Sequence, residues 1–172
     1  WVSLMTGRGP GHHGVFDFIR AEERANDVFF TLYDSRDCRV EMIWSIASRQ
    51  GLKVAALNFP FTAPPPKDLN GFMVPGFVPW RHLRRSSAPP DLYDRLKAIP
   101  DFNAKELAWD FEQEKQAMEE LTHEDRENWV KYHLPRERQW FRIADHLLRE
   151  EAPELMAVMF DGVDKLQHQA WL

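Results

Sequence analysis

Apolar positions along this chain alternate between a helical and an extended period. Val40, Ile43, Trp44 and Ala47 recur at three- and four-residue spacing, which predicts a helix over residues 40–50, with Asp37 placed to cap its start and Gly51 to end it. Residues 139–150 carry Trp140, Ile143, Ala144, Leu147 and Leu148 on one face, the pattern of a helix lying on a sheet. The shorter apolar runs read differently. Residues 53–57 predict a buried strand, 28–33 a strand or extended connection, and 1–5 the end of a helix or strand that feeds the Gly/Pro/His-rich turn after Thr6. Pro153 breaks the helical period, and residues 155–160 are then nearly continuous in apolar side chains, as expected of a central parallel strand covered on both faces. The helix 40–50 is expected to cover the same sheet. The proline-rich stretch 60–79 is predicted to be irregular, because proline cannot donate to a strand ladder. Strand, helix and strand in alternation predict an α/β sheet.

Residues 86–90 mark a change in character. From 91 to 138 the chain is strongly charged and helix-favouring, with Trp109, Phe111, Trp129 and Tyr132 scattered through it, and it reads as a helical insertion or cap standing apart from the sheet. The tryptophans at 44, 80, 109, 129, 140 and 171 suit core and cap packing better than base stacking.

Composition narrows the classes. With 172 residues and 44% apolar content the chain is long enough for one globular domain with a sizeable core. No apolar run approaches the ~20 residues of a membrane-spanning helix, and no signal-peptide layout is visible, though the chain begins at Trp1. The single Cys38 excludes an internal disulfide and fits a reducing compartment, so a cytoplasmic location is the expectation. A net charge of −5 argues against binding a nucleic-acid polymer. Arg81, Arg84 and Arg85 are a local exception, read as a solvated loop or as a contact for an anionic substrate.

Candidate chemistry concentrates in three segments. The last is F-D-G-V-D-K-L-Q-H, in which Asp164 and His168 stand four residues apart just after the strand predicted at 155–160. Ligands bind at the carboxyl ends of strands in open α/β sheets, and positions i and i+4 share a helix face, so the pair is placed to grip one metal ion. The bland alternative is a helix-capping aspartate with an unrelated surface histidine. The first segment runs T-G-R-G-P-G-H-H-G from Thr6 to Gly14, and the middle one N-G-F-M-V-P-G from Asn70 to Gly76. Asn70-Gly71 is also a turn signal in its own right, since both residues tolerate positive φ.

In their order and spacing these segments resemble the type I phosphodiesterase / nucleotide pyrophosphatase family of the alkaline phosphatase superfamily. The resemblance implies an alkaline-phosphatase-like sheet with helices on both faces. It also implies two divalent metal ions, zinc or else manganese, and hydrolysis of a small phosphorylated substrate. Asp164 and His168 match the family's D-x-x-x-H ligands for one metal. The family's Thr or Ser nucleophile falls three positions ahead of Trp1, and the remaining ligands fall upstream of Trp1 and beyond Leu172. The whole chain then reads as part of one catalytic domain cut at both ends, inactive by itself. Thr6 matches the family's T-G step and is expected to tighten a turn rather than attack phosphorus, and Ser3 has a similar standing. His13 matches the H-G step, which is not a ligand position; with His12 it is assigned a polar loop role. Some nucleotide-cleaving relatives place an Asn near Asp17 or Phe18, so nucleotide specificity stays open here. Asn58 and Asn70 belong to the middle region, and Asp161 reads as a helix cap or a group behind the ligands.

The sulfatase branch needs Cys-x-Pro-x-Arg, whereas Cys38 sits in D-C-R-V-E, so that branch is excluded for this segment. A metal-dependent phosphomutase and a non-catalytic binding member remain as alternatives.

Overall fold

A computed structural model describes residues 1–107, 110–116 and 122–170. Trp109 and Trp171, named above, lie outside the described residues, as does the side chain of Phe111. The chain opens with two short helices, α1 (Val2–Thr6) and α2 (Pro10–His13), then an antiparallel hairpin of β1 (Ile19–Arg24) and β2 (Asp27–Leu32). Helix α3 (Ile43–Arg49) leads into β3 (Val54–Leu57) and β4 (Gly71–Val74). Then come α4 (Trp80–Ser86), α5 (Leu92–Leu96), α6 (Phe111–Gln116), the long α7 (His123–Glu151), β5 (Leu155–Val158) and α8 (Gly162–Ala170).

Strands β4, β3 and β5 form a parallel sheet in that spatial order, with Val54 facing Gly71 on one side and Leu155 on the other. Alternation along β3 sends its side chains to opposite faces. Ala55 and Leu57, with Phe72 and Val74, pack under Trp140, Ile143, Ala144 and Leu147 of α7 and under Leu83, Leu92, Leu96 and Leu107. Val54, Ala56 and Met73 pack on the other face against Val2, Met5, Met42, Trp44 and Ala47. Helices therefore cover both faces, and the fold is α/β as the alternation predicts.

Several boundaries move for identifiable reasons. The strand expected over 155–160 ends at Val158, is only half-buried, and lies at the edge of the three-stranded sheet rather than at its centre. Continuous apolar side chains report contact with helices on both faces and do not report whether a second strand pairs alongside. Helix α3 starts at Ile43 rather than Val40, because Asp37 is engaged elsewhere. Its carboxylate accepts from the Asp34 N–H at 2.8 Å and closes a capping box around the single turn Ser35–Asp37. The stretch 60–79, expected to be irregular, contains β4. Its glycines make that possible: a Cβ on Gly71 would stand 2.0 Å from the Val54 carbonyl oxygen, so only glycine lets the two strands pair there.

The predicted helix 139–150 is the second half of α7, which runs about 44 Å from a Thr122/Asp125 capping box through Pro135. Within 91–138 the described residues are helical or irregular and contain no strand. Leu92, Leu96 and Leu107 from this stretch pack into the sheet's core, so its first part is seated on the sheet rather than standing apart from it. Among the described residues no helix is long and apolar enough to cross a membrane.

Candidate functional site

The carboxyl ends of β3 and β5 carry a buried cluster of polar side chains. Asn58 follows β3 with φ 66°, a left-handed conformation that asparagine tolerates better than most residues. Its side chain crosses to the neighbouring strand end, where Nδ2 donates to the Met159 carbonyl at 2.8 Å and to Asp161 Oδ1 at 2.9 Å. Its Oδ1 accepts from Arg136 Nη2 at 3.0 Å. The same guanidinium reaches both Asp161 oxygens at 3.4 Å, with the two side chains only 3% and 4% exposed, and Nη1 donates to the Leu107 carbonyl at 2.8 Å. The neighbouring Glu137 accepts from the Gly162 N–H at 2.9 Å, and burial pushes its carboxyl above the usual carboxylate range.

Beyond this knot begins α8. Asp164 and His168 lie one turn apart on it, with Oδ1 and Nε2 3.7 Å from each other, and they are largely exposed, at 64% and 74%. They open onto a cleft of about 1020 Å³ whose walls include Phe18, Phe61, Phe77, Val78 and Trp129. The Phe18 ring lies 5.0 Å from Phe61 and 5.7 Å from Phe77, centre to centre. Lys165 stands at the same wall, 5.5 Å from the Phe77 ring centre and ion-paired to Glu114. The indole N–H of Trp129 donates to the Lys165 carbonyl at 3.1 Å, tying α7 to α8. Asp164 and His168 thus share a face beside this cleft. Among the described residues, no group of three or more His, Cys, Asp or Glu side chains gathers to hold a metal ion.

The other sequence candidates separate clearly. Thr6 Oγ1 donates to the Val2 carbonyl at 2.7 Å and accepts from the Arg8 N–H at 3.2 Å, so its hydroxyl closes the turn at left-handed Gly7. Ser3 and His13 sit 3.0 Å apart, an arrangement that imitates a nucleophile and its base. However, the Val15 N–H donates to His13 Nδ1 at 3.2 Å, which leaves the proton on Nε2, the nitrogen facing Ser3. Burial lowers the His13 pKa, which favours the neutral ring. A nitrogen that already holds a proton cannot take one from Ser3. His13 therefore pins α1 to α2, and His12 is exposed beside it.

Phe18 lines the cleft, while Asp17 caps the Phe18 N–H at 2.6 Å. Arg81, Arg84 and Arg85 are exposed on α4 and do not line this cleft; Arg84 pairs with Asp94. Asn70 holds the turn before β4, donating to the Gly51 carbonyl at 3.1 Å. Cys38 is a free, half-buried thiol donating to the Val40 carbonyl. Asp161 proves to be a buried partner of Arg136 and Asn58 behind α8. Arg136 and Glu137 were invisible as site residues, because in the sequence they are two more charges on a charged helix.

No curated protein and no solved structure matches the chain. The family model for type I phosphodiesterase / nucleotide pyrophosphatase, in contrast, matches residues 1–171. That span takes in the turn held by Thr6 and His13, the glycine-dependent β4, and the strand end that presents Asp164 and His168; the chain belongs to the type I phosphodiesterase / nucleotide pyrophosphatase family.

Proposed function

We propose that this chain belongs to a metal-dependent hydrolase of phosphate esters, in which Asp164 and His168 are two ligands of one divalent ion, zinc or else manganese. The observation that carries the proposal is their joint placement, one turn apart on the helix that follows β5 and lining the cleft of about 1020 Å³. The donor set fits. A carboxylate and an imidazole are ordinary zinc ligands, and two donors ~2.0–2.1 Å from one tetrahedral ion stand about 3.3 Å apart, close to the 3.7 Å between these atoms. A bound divalent ion would supply positive charge where negative charge accumulates during phosphoryl transfer.

The chain's own residues supply the surroundings. Phe18, Phe61, Phe77 and Trp129 give the cleft an apolar wall that can shelter the non-phosphate part of a small phosphorylated substrate. Lys165, held by Glu114, adds a cation at the same wall. The Thr6 hydroxyl is engaged in closing a turn, and the His13 nitrogen facing Ser3 already carries a proton, so neither hydroxyl has a base to activate it here.

The competing reading is an exposed i, i+4 ion pair, worth only ~0.3–0.5 kcal/mol and without a metal role. Metal content and turnover of a generic phosphodiester, measured in the intact protein and its Asp164→Ala and His168→Ala variants, separate the two. Loss of a ligand is expected to lower metal affinity at least about tenfold and the rate with it. Wild-type metal content and rate in both variants, with the fold intact, would leave only the ion-pair reading.

A further inference from the structure

We propose that Arg136, acting through Asn58 and Asp161, is a positioning residue for the Asp164/His168 half-site. The inference rests on the assignment of those two as metal ligands. A guanidinium and a carboxylate buried together in a helix-sheet interface are an expensive way to hold a core, since apolar residues of the same volume usually do at least as well there. What the pair does instead is locate a turn. Arg136 reaches Asp161 and Asn58, so the end of β5, the end of β3 and the middle of α7 meet at one guanidinium. Arg136 also donates to the Leu107 carbonyl, which fixes the guanidinium plane from the opposite side.

The neighbouring bonds extend the same grip along the chain. Glu137 takes the Gly162 N–H, and Trp129 donates to the Lys165 carbonyl. Residues 161, 162 and 165 are thus each tied to α7, and Asp164 lies between the last two. The space is close as well: a Cβ on Gly162 would stand 2.7 Å from Glu137 Cγ. Asp164 and His168 themselves are exposed, so their own packing does not aim them. The rotation of α8 about its axis, and therefore the direction its i, i+4 pair faces, is set from behind by these buried contacts. A metal-binding pair on one helix needs such a support, because a small turn of the helix moves both donors together.

The test is a Mn²⁺ titration of the intact ¹⁵N-labelled protein, following paramagnetic broadening of the amide signals of residues 162–168. Asp164→Ala serves as the arm that removes a ligand. Arg136→Met combined with Asp161→Leu removes both buried charges without leaving either unpaired, and Arg136→Lys keeps the charge but loses the fork. With positioning, Asp164→Ala abolishes the local broadening. The double variant and Arg136→Lys, still helical by circular dichroism, need at least about tenfold more Mn²⁺ for half-broadening, the range seen when a partner behind a ligand is lost. Amide exchange at 162–165 should quicken in parallel, with β3 unchanged. Should the double variant fail to fold, Arg136→Lys decides by the same midpoint. Loss of broadening in Asp164→Ala together with a wild-type midpoint and wild-type exchange in the Arg136 variants would overturn positioning alone. Undiminished broadening in Asp164→Ala would remove the metal assignment and this inference with it.

Discussion

Replacing Asn58 tests whether the knot behind α8 is a main support of this fold. Asn58→Gly removes the bond to the Met159 carbonyl, a neutral bond worth about 1 kcal/mol net, and two bonds to the charged groups of Asp161 and Arg136, worth about 1.5–3 kcal/mol each when intact. Arg136 and Asp161 still face each other at 3.4 Å after the change, so part of the charged contribution survives. The expected loss is about 3–4 kcal/mol, a large share of the 5–15 kcal/mol typical of a domain. Asn58→Ala loses the same bonds and adds a backbone cost, because residue 58 has φ 66° and alanine pays about 1–2 kcal/mol there. Alanine also restricts the unfolded chain more than glycine does, which returns about 0.4–1 kcal/mol. The alanine variant should therefore be the weaker of the two by roughly 0.5–1 kcal/mol. Urea unfolding followed by tryptophan fluorescence and far-UV circular dichroism measures both. Glycine within about 0.5 kcal/mol of wild type would refute the bonding account, and alanine more stable than glycine would refute the left-handed backbone at this position.

Three further variants test other parts of the reasoning. His133 is buried, neither ring nitrogen has a hydrogen-bond partner among the described residues, and burial, helped by Arg136, lowers its pKa to about 4. The unfolded chain binds this proton below about 6.5 and the native chain does not until about 4, so the stability it contributes is full above pH 6.5 and lost as pH falls towards 4. His133→Phe should keep neutral-pH stability and show a shallower loss between pH 7 and 5 in denaturant midpoints; an unchanged slope would contradict a buried neutral imidazole. A Cβ on Gly76 would stand 2.1 Å from the Asn58 carbonyl oxygen, backbone that cannot swing away, so Gly76→Ala should cost at least about 2 kcal/mol. Gly11→Ala, with nothing within 4 Å of its added Cβ, should stay within about 1 kcal/mol in the same melts.

Periodicity was informative wherever a side chain's surroundings depend on its own segment. Trp140, Ile143, Ala144 and Leu147 read as one buried face and form one, whereas Leu148, read on the same face, turns out exposed at its margin. Residues 53–57 read as a buried strand, and β3 is buried throughout. The hairpin was only half legible. Val28 to Leu32 has strand-forming side chains, but Ile19–Arg24 is mostly polar and its turn at Ala25 and Asn26 lacks the glycine that marks such turns; it is a strand because β2 pairs with it. The middle motif looked irregular from its prolines, and β4 emerged because Gly71 admits the Val54 backbone, a relation between residues 17 positions apart.

The α/β class, the three family segments, and the spacing that puts Asp164 and His168 on one face of a helix are legible in the order of residues alone. Each of these is a local property: a period, a turn residue, or a separation of four. Packing of distant segments puts β5 at the sheet edge, makes the Ser3 and His13 pair a brace with its proton on the wrong nitrogen for catalysis, and brings Arg136 on α7 against Asn58 and Asp161 at two strand ends. Arg136 stands 78 positions from Asn58 and 25 from Asp161 in the chain. An arginine on a charged helix looks solvated until packing shows that its guanidinium has been withdrawn from water. Only folding brings it against the strand ends, since burial is a property of the assembled layers rather than of the residues that fill them.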